Sequence, residues 1–385
     1  MVSTLVTPEL EQETIAWRRH LHAHPELSFE EVETSRFVEE TLRSFDGLEL
    51  ERPVATSVVA TLRGSRPGRV LALRADIDAL PIQEESGLDF ASTRPGVMHA
   101  CGHDGHTAML LGAAKALCTR RDELAGEIRF VFQHAEEKLP GGASQLVEAG
   151  VMDGVELVVG AHLASMKDVG KVGCPVGPMA AAADTFSAEI RGRGGHAAAP
   201  HRAVDPIAVA AQVITNAQHL VSRTVDPIES AVVSVTRIHA GTADNIIPEA
   251  VELGGTVRTF DADVRVGVRE GLERVLRGVT DAHGATYTFD YEEGYAAVIN
   301  DEVAAAAVLA AARAELGDDA IMDAEPIMGG EDFSAYLAKA PGAFFWVGAG
   351  SEDAASHHHP RFTIDEAAFR SGIAVFVRTA LDYLA

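Results

Sequence analysis

Short apolar runs rich in strand formers alternate with helical stretches through the first half of this chain. The strand segments read SVVATLRG, RVLALRADIDALP, EIRFVFQHAEE and ELVVGAHL, and TAMLLGAAKALC and GGASQLVEAG lie between them as helices. Such alternation means an α/β domain with a mostly parallel central sheet. In sheets of that kind ligands collect at the carboxyl ends of the strands. Here the polar residues stand at those ends: Asp76 and Asp78, then Glu136 and Glu137, then His162. Ahead of the sheet, TPELEQETIAWRRHLHAH opens a helix with Thr7 as N-cap and Pro8 at the first helical position. A second amphipathic helix reads from about Glu30 to Ser44.

After about Met179 the pattern changes. TFSAEIRG reads as a strand, DPIAVAAQVITNAQHLVS as a helix, SAVVSVTRIHA and AVELGGTVRTF as two strands. ADVRVGVREGLERVLRGVTDAHG is a further helix and ATYTFDYEEGYAAV a last strand. The order β-α-β-β-α-β is that of a ferredoxin-like sandwich. Because another α/β stretch follows, this looks like an insertion. Residues 1–178 and 299–385 are then the two parts of a catalytic domain, and 179–298 an inserted α+β domain.

Composition narrows the function classes. The 385 residues are 47% hydrophobic and 23% charged, enough to bury a large core and unlike a disordered chain. Asp and Glu number 57 against 32 Lys and Arg, a formal charge of −25. Such a surface repels nucleic acid and anionic membranes, so neither is an expected partner. Three cysteines, Cys101, Cys118 and Cys174, do not make a disulfide framework and fit a reducing compartment. The N-terminal stretch lacks the basic and apolar regions of a leader, and no apolar run reaches about 18 residues. The expectation is a soluble, cytoplasmic protein.

The densest chemistry is MHACGHDGHTAM, residues 98–109. Cys101 and His103 are two apart, so an extended segment points both to one side. Thiolate with imidazole suits a borderline transition metal. Glu136 and Glu137 are neighbours that extended chain turns opposite ways, so one can bind metal while the other acts as general base on a metal-activated water. His162 and one of His357, His358 and His359 offer further ligands. A Cys–His nucleophilic site is the competing reading, but it leaves the acid pair and the distal histidines without a task. His99 and His106 read as structural or supporting residues.

RRHLHAHPELSFEE, LRADIDALPI, MHACGHDGHTAMLLGAA, QHAEE, GRGGHAAAPH, GTADNIIPEA and MGGEDF together resemble the signature segments of the aminoacylase–carboxypeptidase metallohydrolases. The likeness runs from about residue 14 to residue 368. It is nearest the amidohydrolase branch that includes hippurate hydrolases, N-acyl-amino-acid amidohydrolases and indole-acetyl-amino-acid hydrolases. The resemblance implies two divalent transition metal ions, drawn from Zn, Mn, Co and Ni. It implies that Cys101 bridges them, that His103, Glu137, His162 and His358 complete the ligands, and that Glu136 is the base. By the same resemblance Asp78 orients ligands, while Asp76 stands where relatives carry a ligating His. The inserted domain matches a lid and dimerisation domain, with His196 as oxyanion donor and Asn245 and Arg258 as substrate-binding residues. The implied reaction is cleavage of an N-acyl amino acid into a carboxylic acid and an amino acid. Two alternatives stand beside it: a dipeptidase or carboxypeptidase with the same site, and a catalytically silent small-molecule binder.

Overall fold

Thr7 caps the first helix as its position predicts: its Oγ1 accepts from Leu10 N at 3.3 Å, and α1 runs Pro8–Ala23. The structure is a computed structural model that describes residues 5–54 and 56–385. Residues 1–4, the start of the stretch without a leader pattern, lie outside them. The helix α2 follows at Val32–Arg43. Then come β1 (Leu48–Glu51), β2 (Val58–Arg63), β3 (Arg66–Asp76), α3 (His103–Cys118), β4 (Ala125–Gln133), α4 (Gly142–Glu148), β5 (Leu157–Asp168) and β6 (Val172–Gly173). Two compact units result. One takes the chain up to Met179 together with Ile299–Pro326 and Asp332–Ala385; the other takes Ala180–Val298 with Ile327–Glu331.

In the first unit seven strands form one sheet, ordered β1, β2, β4, β3, β5, the strand Gly342–Gly350, and β6. β3 pairs parallel with β4 and β5, and β5 pairs parallel with Gly342–Gly350. Each parallel pair is joined by a stretch that holds at least one helix, since a parallel return needs a long crossover. β1 against β2, β2 against β4, and β6 against Gly342–Gly350 are antiparallel. The mostly parallel core is as expected; the antiparallel flanks are not marked in the strand-and-helix alternation.

The pleat sorts the side chains. Leu71, Leu73, Ala75, Ile128, Phe130, Phe132, Val159, Ala161 and Leu163 enter one hydrophobic core with residues from α3 and the C-terminal helix Ala368–Tyr383. Their alternates, among them Arg74, Gln133, Gly160 and His162, therefore stand on the opposite face. α3 is buried over nearly its whole length, so its first turn is held firmly.

In the second unit the strands Ala182–Arg191, Ala231–Ala240, Ala250–Thr259 and Thr286–Glu292 form an antiparallel sheet. The order is 231–240, 250–259, 182–191, 286–292. α5 (Pro206–His219) and α6 (Ala262–His283) start on Asp205 and Asp261, whose carboxylates accept from backbone N–H groups of the first turn. Ile190, Val251 and Leu253 pack against Val209, Val213 and Leu276 of these helices. This is the ferredoxin-like arrangement of the β-α-β-β-α-β reading. Among the described residues no helix is long and apolar enough to cross a membrane.

Gly160 on β5 tests how tightly the sheet packs. A Cβ there would lie 2.6 Å from Phe344 Cδ2 and 2.9 Å from Phe333 Cε2. Gly160→Ala is expected to cost about 1–3 kcal/mol through overpacking, read as a lower urea midpoint at unchanged slope. An unchanged midpoint would mean that the two rings shift at no cost.

Candidate metal centre

Asp78 follows the end of β3 and is buried. One of its oxygens, Oδ1, lies 3.1 Å from His103 Nδ1, and its backbone O lies 3.0 Å from the same nitrogen. Both are acceptors, so Nδ1 carries a proton, and Nε2 is the nitrogen that can give up its own to a cation. Oδ2 accepts from Ser28 Oγ at 2.7 Å and from Glu137 N at 3.0 Å. One carboxylate thus sets the tautomer of His103 and the backbone of Glu137 together.

His103 opens α3, and Gly102 before it has φ +93°. A left-handed turn into a helix, rather than extended chain, therefore brings Cys101 and His103 to one place. Cys101 Sγ lies 3.5 Å from His162 Nε2, while His162 Nδ1 donates to Leu163 O at 2.9 Å. The donor atoms of Cys101, His103 and His162 all fall within 4.8 Å of one another. His162 does not close its strand: β5 continues to Asp168, and His162 pairs with Trp346 inside the sheet.

A second triad, Cys101, Glu137 and His358, meets the same 4.8 Å limit, as do His103, Glu136 and Glu137. Cys101 belongs to both triads that contain it with a histidine. β4 ends at Gln133, so the two glutamates are not extended neighbours; they follow Ala135, whose φ is +48°. Of the three histidines near the C-terminus, His358 is the one that meets Glu137, its Nε2 3.1 Å from Glu137 Oε1. His357 Nε2 donates to Leu163 O at 2.9 Å, and His359 Nδ1 accepts from Arg361 N at 3.0 Å.

Beyond the Cys101–His162 and His358–Glu137 contacts, these donors converge with little bonding between them. His103 Nε2 and Glu137 Oε1 are buried, lie 3.8 Å apart, and have no aligned hydrogen bond. Buried polar atoms left this way are costly unless something else fills the space between them. The charges agree. Burial works against a protonated His103, yet Asp76, Asp78 and Glu137 outweigh it and raise it to about 10. Burial, then Glu137, Glu136 and Asp76, push the Cys101 thiol well above its usual value. Carboxylates around a thiol oppose a thiolate nucleophile, whereas a cation among them would favour the thiolate. Burial, then His106 and His357, hold His162 well below its ordinary value, neutral and able to ligate. Thiolate, imidazole and carboxylate in two triads sharing one sulfur fit a pair of divalent transition ions.

Several supporting residues escaped the reading of the sequence. Arg74 is buried on β3, with Nε 2.8 Å from Gln133 Oε1, NH1 2.9 Å from Asp76 Oδ2 and NH2 2.9 Å from Asp332 Oδ1. A charged residue inside the apolar run VLALRAD was the available signal. Asp76 also accepts from His106 Nδ1 at 2.7 Å, and His106 Nε2 accepts from Leu163 N at 2.9 Å. Both His106 nitrogens are thus engaged, Nδ1 by Asp76 and Nε2 by Leu163 N. Behind α3, Asp104 receives Arg18 Nε at 2.7 Å and His22 Nδ1 at 2.8 Å, which gives RRHLHAH a task.

The remaining candidates lie in the second unit. Gly195–His196 pairs with Ile246–Ile247, and Ala197 N donates to Asn245 O at 3.0 Å, so His196 and Asn245 are brought together. Both are exposed. Arg258 is half-buried on its strand, its NH1 3.0 Å from Val257 O and 3.4 Å from Asp184 O.

Residues 72–382 match peptidase family M20/M25/M40. The chain belongs to that family. The matched span of the M20/M25/M40 family holds every candidate residue named above for the metal centre. An N-acyl-L-amino acid amidohydrolase from Geobacillus stearothermophilus is 60% identical over 292 residues, 76% of this chain and 79% of that one. The N-acetylcysteine deacetylase of Bacillus subtilis (strain 168) is 45% identical over 369 residues, 95% of this chain and 96% of that one. Among solved structures, the Bacillus subtilis YXEP protein, a dinuclear metal binding peptidase from the M20 family, superposes with a TM-score of 0.87. It is 40% identical and covers 98% of this chain and 99% of its own.

If Asp78 holds His103 in its ligating tautomer, Asp78→Asn should weaken metal binding about 10–100-fold, the usual effect of losing such a partner. Titration of the metal-free protein by calorimetry measures it. An unchanged dissociation constant would mean that the Asp78 backbone carbonyl orients His103 unaided.

Proposed function

We propose that this chain hydrolyses the amide bond of N-acyl amino acids, releasing a carboxylic acid and an amino acid. The observation that carries the reading is the pair of donor triads sharing Cys101, with Glu136 beside them. In this reading Cys101, His103, His162, Glu137 and His358 would hold two divalent metal ions, and Asp78 would orient His103. Bound there, the ions supply polarisation of the scissile carbonyl and acidify the attacking water. Glu136 takes the proton from that water and passes it to the departing nitrogen, the dual role of a general acid–base carboxylate. His196 donates to the developing oxyanion, and Asn245 and Arg258 hold the substrate, Arg258 by pairing its planar guanidinium with the amino-acid carboxylate. The second unit acts as lid and as the surface through which two copies pair, in a cytoplasmic homodimer.

The test is a hydrolysis screen of N-acetyl, N-benzoyl and indole-acetyl amino acids, with a plain dipeptide alongside, using defined metals. Exhaustive chelation should abolish turnover, and one of Zn, Mn, Co or Ni should restore it; full activity in metal-free protein would overturn the reading. Glu136→Gln should keep its metal while kcat falls by roughly two to four orders of magnitude. Glu137→Gln should instead lose metal. Loss of metal in the Glu136 variant alone would reverse the two roles. A dipeptide turned over faster than every N-acyl amino acid would make the chain a peptidase of the same centre.

The oxyanion role has its own check. His196→Ala should lower kcat by roughly a hundredfold or more, with a smaller change in KM. Mixing His196→Ala with Glu136→Gln, after subunit exchange, should recover activity if the histidine serves the partner's site. No recovery after demonstrated exchange would confine His196 to its own chain.

A further inference from the structure

Among the described residues three that are not glycine have a positive φ: Phe29 at +70°, Ala135 at +48° and His358 at +64°. Left-handed backbone is unfavourable for a residue with a Cβ and persists where surroundings enforce it, often at functional sites. His358 belongs to one donor triad. The other two meet on a single side chain. Glu31 Oε1 accepts from Phe29 N at 2.9 Å and from Ala135 N at 2.8 Å, and Glu31 Oε2 accepts from Thr56 Oγ1 at 2.6 Å. Glu31 is fully buried, and so is Ala135. The Phe29 ring also packs edge-on against His134, with centroids 5.7 Å apart.

Ala135 is the residue before Glu136 and Glu137. Its φ sets the direction in which the chain leaves β4 and so where both carboxylates point. On the far side of the turn Ala135 O accepts from Gly142 N at 2.9 Å, which anchors the start of α4. We infer that Glu31 is a positioning residue: its buried carboxylate clamps Ala135 in the left-handed conformation and thereby aims Glu136 and Glu137 at the metal centre. Glu31 touches neither metal nor substrate. The inference rests on the metal-dependent reading above, and it assigns a task to the acidic end of HPELSFEE.

The clamp is separable from a merely structural role by relieving the backbone cost directly. Metal affinity is measured by calorimetry on metal-free protein, kcat and KM on the loaded enzyme, and fold by the thermal midpoint of the metal-free form. Glu31→Ala should weaken metal binding about 10–100-fold and lower kcat more than it changes KM. Glycine adopts positive φ without the Cβ penalty, so adding Ala135→Gly to Glu31→Ala should recover about fivefold or more of the affinity. The thermal midpoint should stay at that of Glu31→Ala. Ala135→Gly alone supplies the baseline. Wild-type affinity and kcat in Glu31→Ala, or no recovery on adding Ala135→Gly, overturns the clamp. If Glu31→Ala does not fold, Glu31→Gln takes its place, since it keeps an acceptor oxygen but drops the charge. It should bind metal several-fold more weakly in a manner that Ala135→Gly cancels, and a folded Glu31→Gln with wild-type affinity also overturns the proposal. Failure of the wild-type chain to bind metal would sink the underlying reading instead.

Discussion

Negative charge gathered in a buried place is the constraint on which this molecule turns. Asp76, Asp78, Glu136 and Glu137 come together where the strand β3 and the turn after β4 end, and Asp76 and Asp78 are fully withdrawn from water. Carboxylates in such surroundings need positive charge or donors. Arg74 and His106 satisfy Asp76, and Ser28, His103 and Glu137 N satisfy Asp78. What these bonds leave over is telling. His103 Nε2 and Glu137 Oε1, 3.8 Å apart, have no aligned hydrogen bond, and Cys101 shares one donor group with His103 and another with Glu137. Donors of these types suit a divalent cation.

The fold supplies that arrangement through rigid parts. Asp76, Gln133 and His162 belong to adjacent parallel strands, whose register is held by the apolar face beneath. His103 rides on the first turn of a helix buried nearly throughout. His358 lies on a stretch after the strand Gly342–Gly350 that is outside any helix or strand, and there a left-handed backbone and a hydrogen bond to Ala100 O hold the residue in place. Supporting residues are shared: Asp78 serves His103 and Glu137, and Leu163 serves His162, His106 and His357 through its O and N. A change in any shared support therefore reaches more than one side chain of the site.

Much was legible before the structure. Alternating strand and helix patterns specify an α/β core, because period and length are local properties. The switch to β-α-β-β-α-β specifies a separate sandwich, and Thr7, Asp205 and Asp261 mark helix starts by their own chemistry. Residue types also suffice to nominate Cys101, His103, Glu137 and His162, since few tasks need thiol, imidazole and carboxylate side by side.

Other features were decided only by the tertiary structure, for a consistent reason: each depends on a dihedral or a partner distant in sequence. Cys101 and His103 look like alternate residues of a strand, but Gly102 turns the chain into α3. Glu136 and Glu137 look like strand neighbours, but Ala135 leaves the β region because Glu31, 104 positions away, holds its N–H. The HHH run has three equivalent members on paper, and only the surroundings of each separate them: Leu163 O takes His357, Arg361 N takes His359, and Glu137 is left to His358. Arg74 reads as an odd charge in an apolar strand until Gln133 and Asp332 close around it. Residue type and local period thus determined which chemistry this chain can hold; the packing of remote segments decided which atoms face one another, because side-chain direction is set by backbone angles that neighbours in space, not in sequence, enforce.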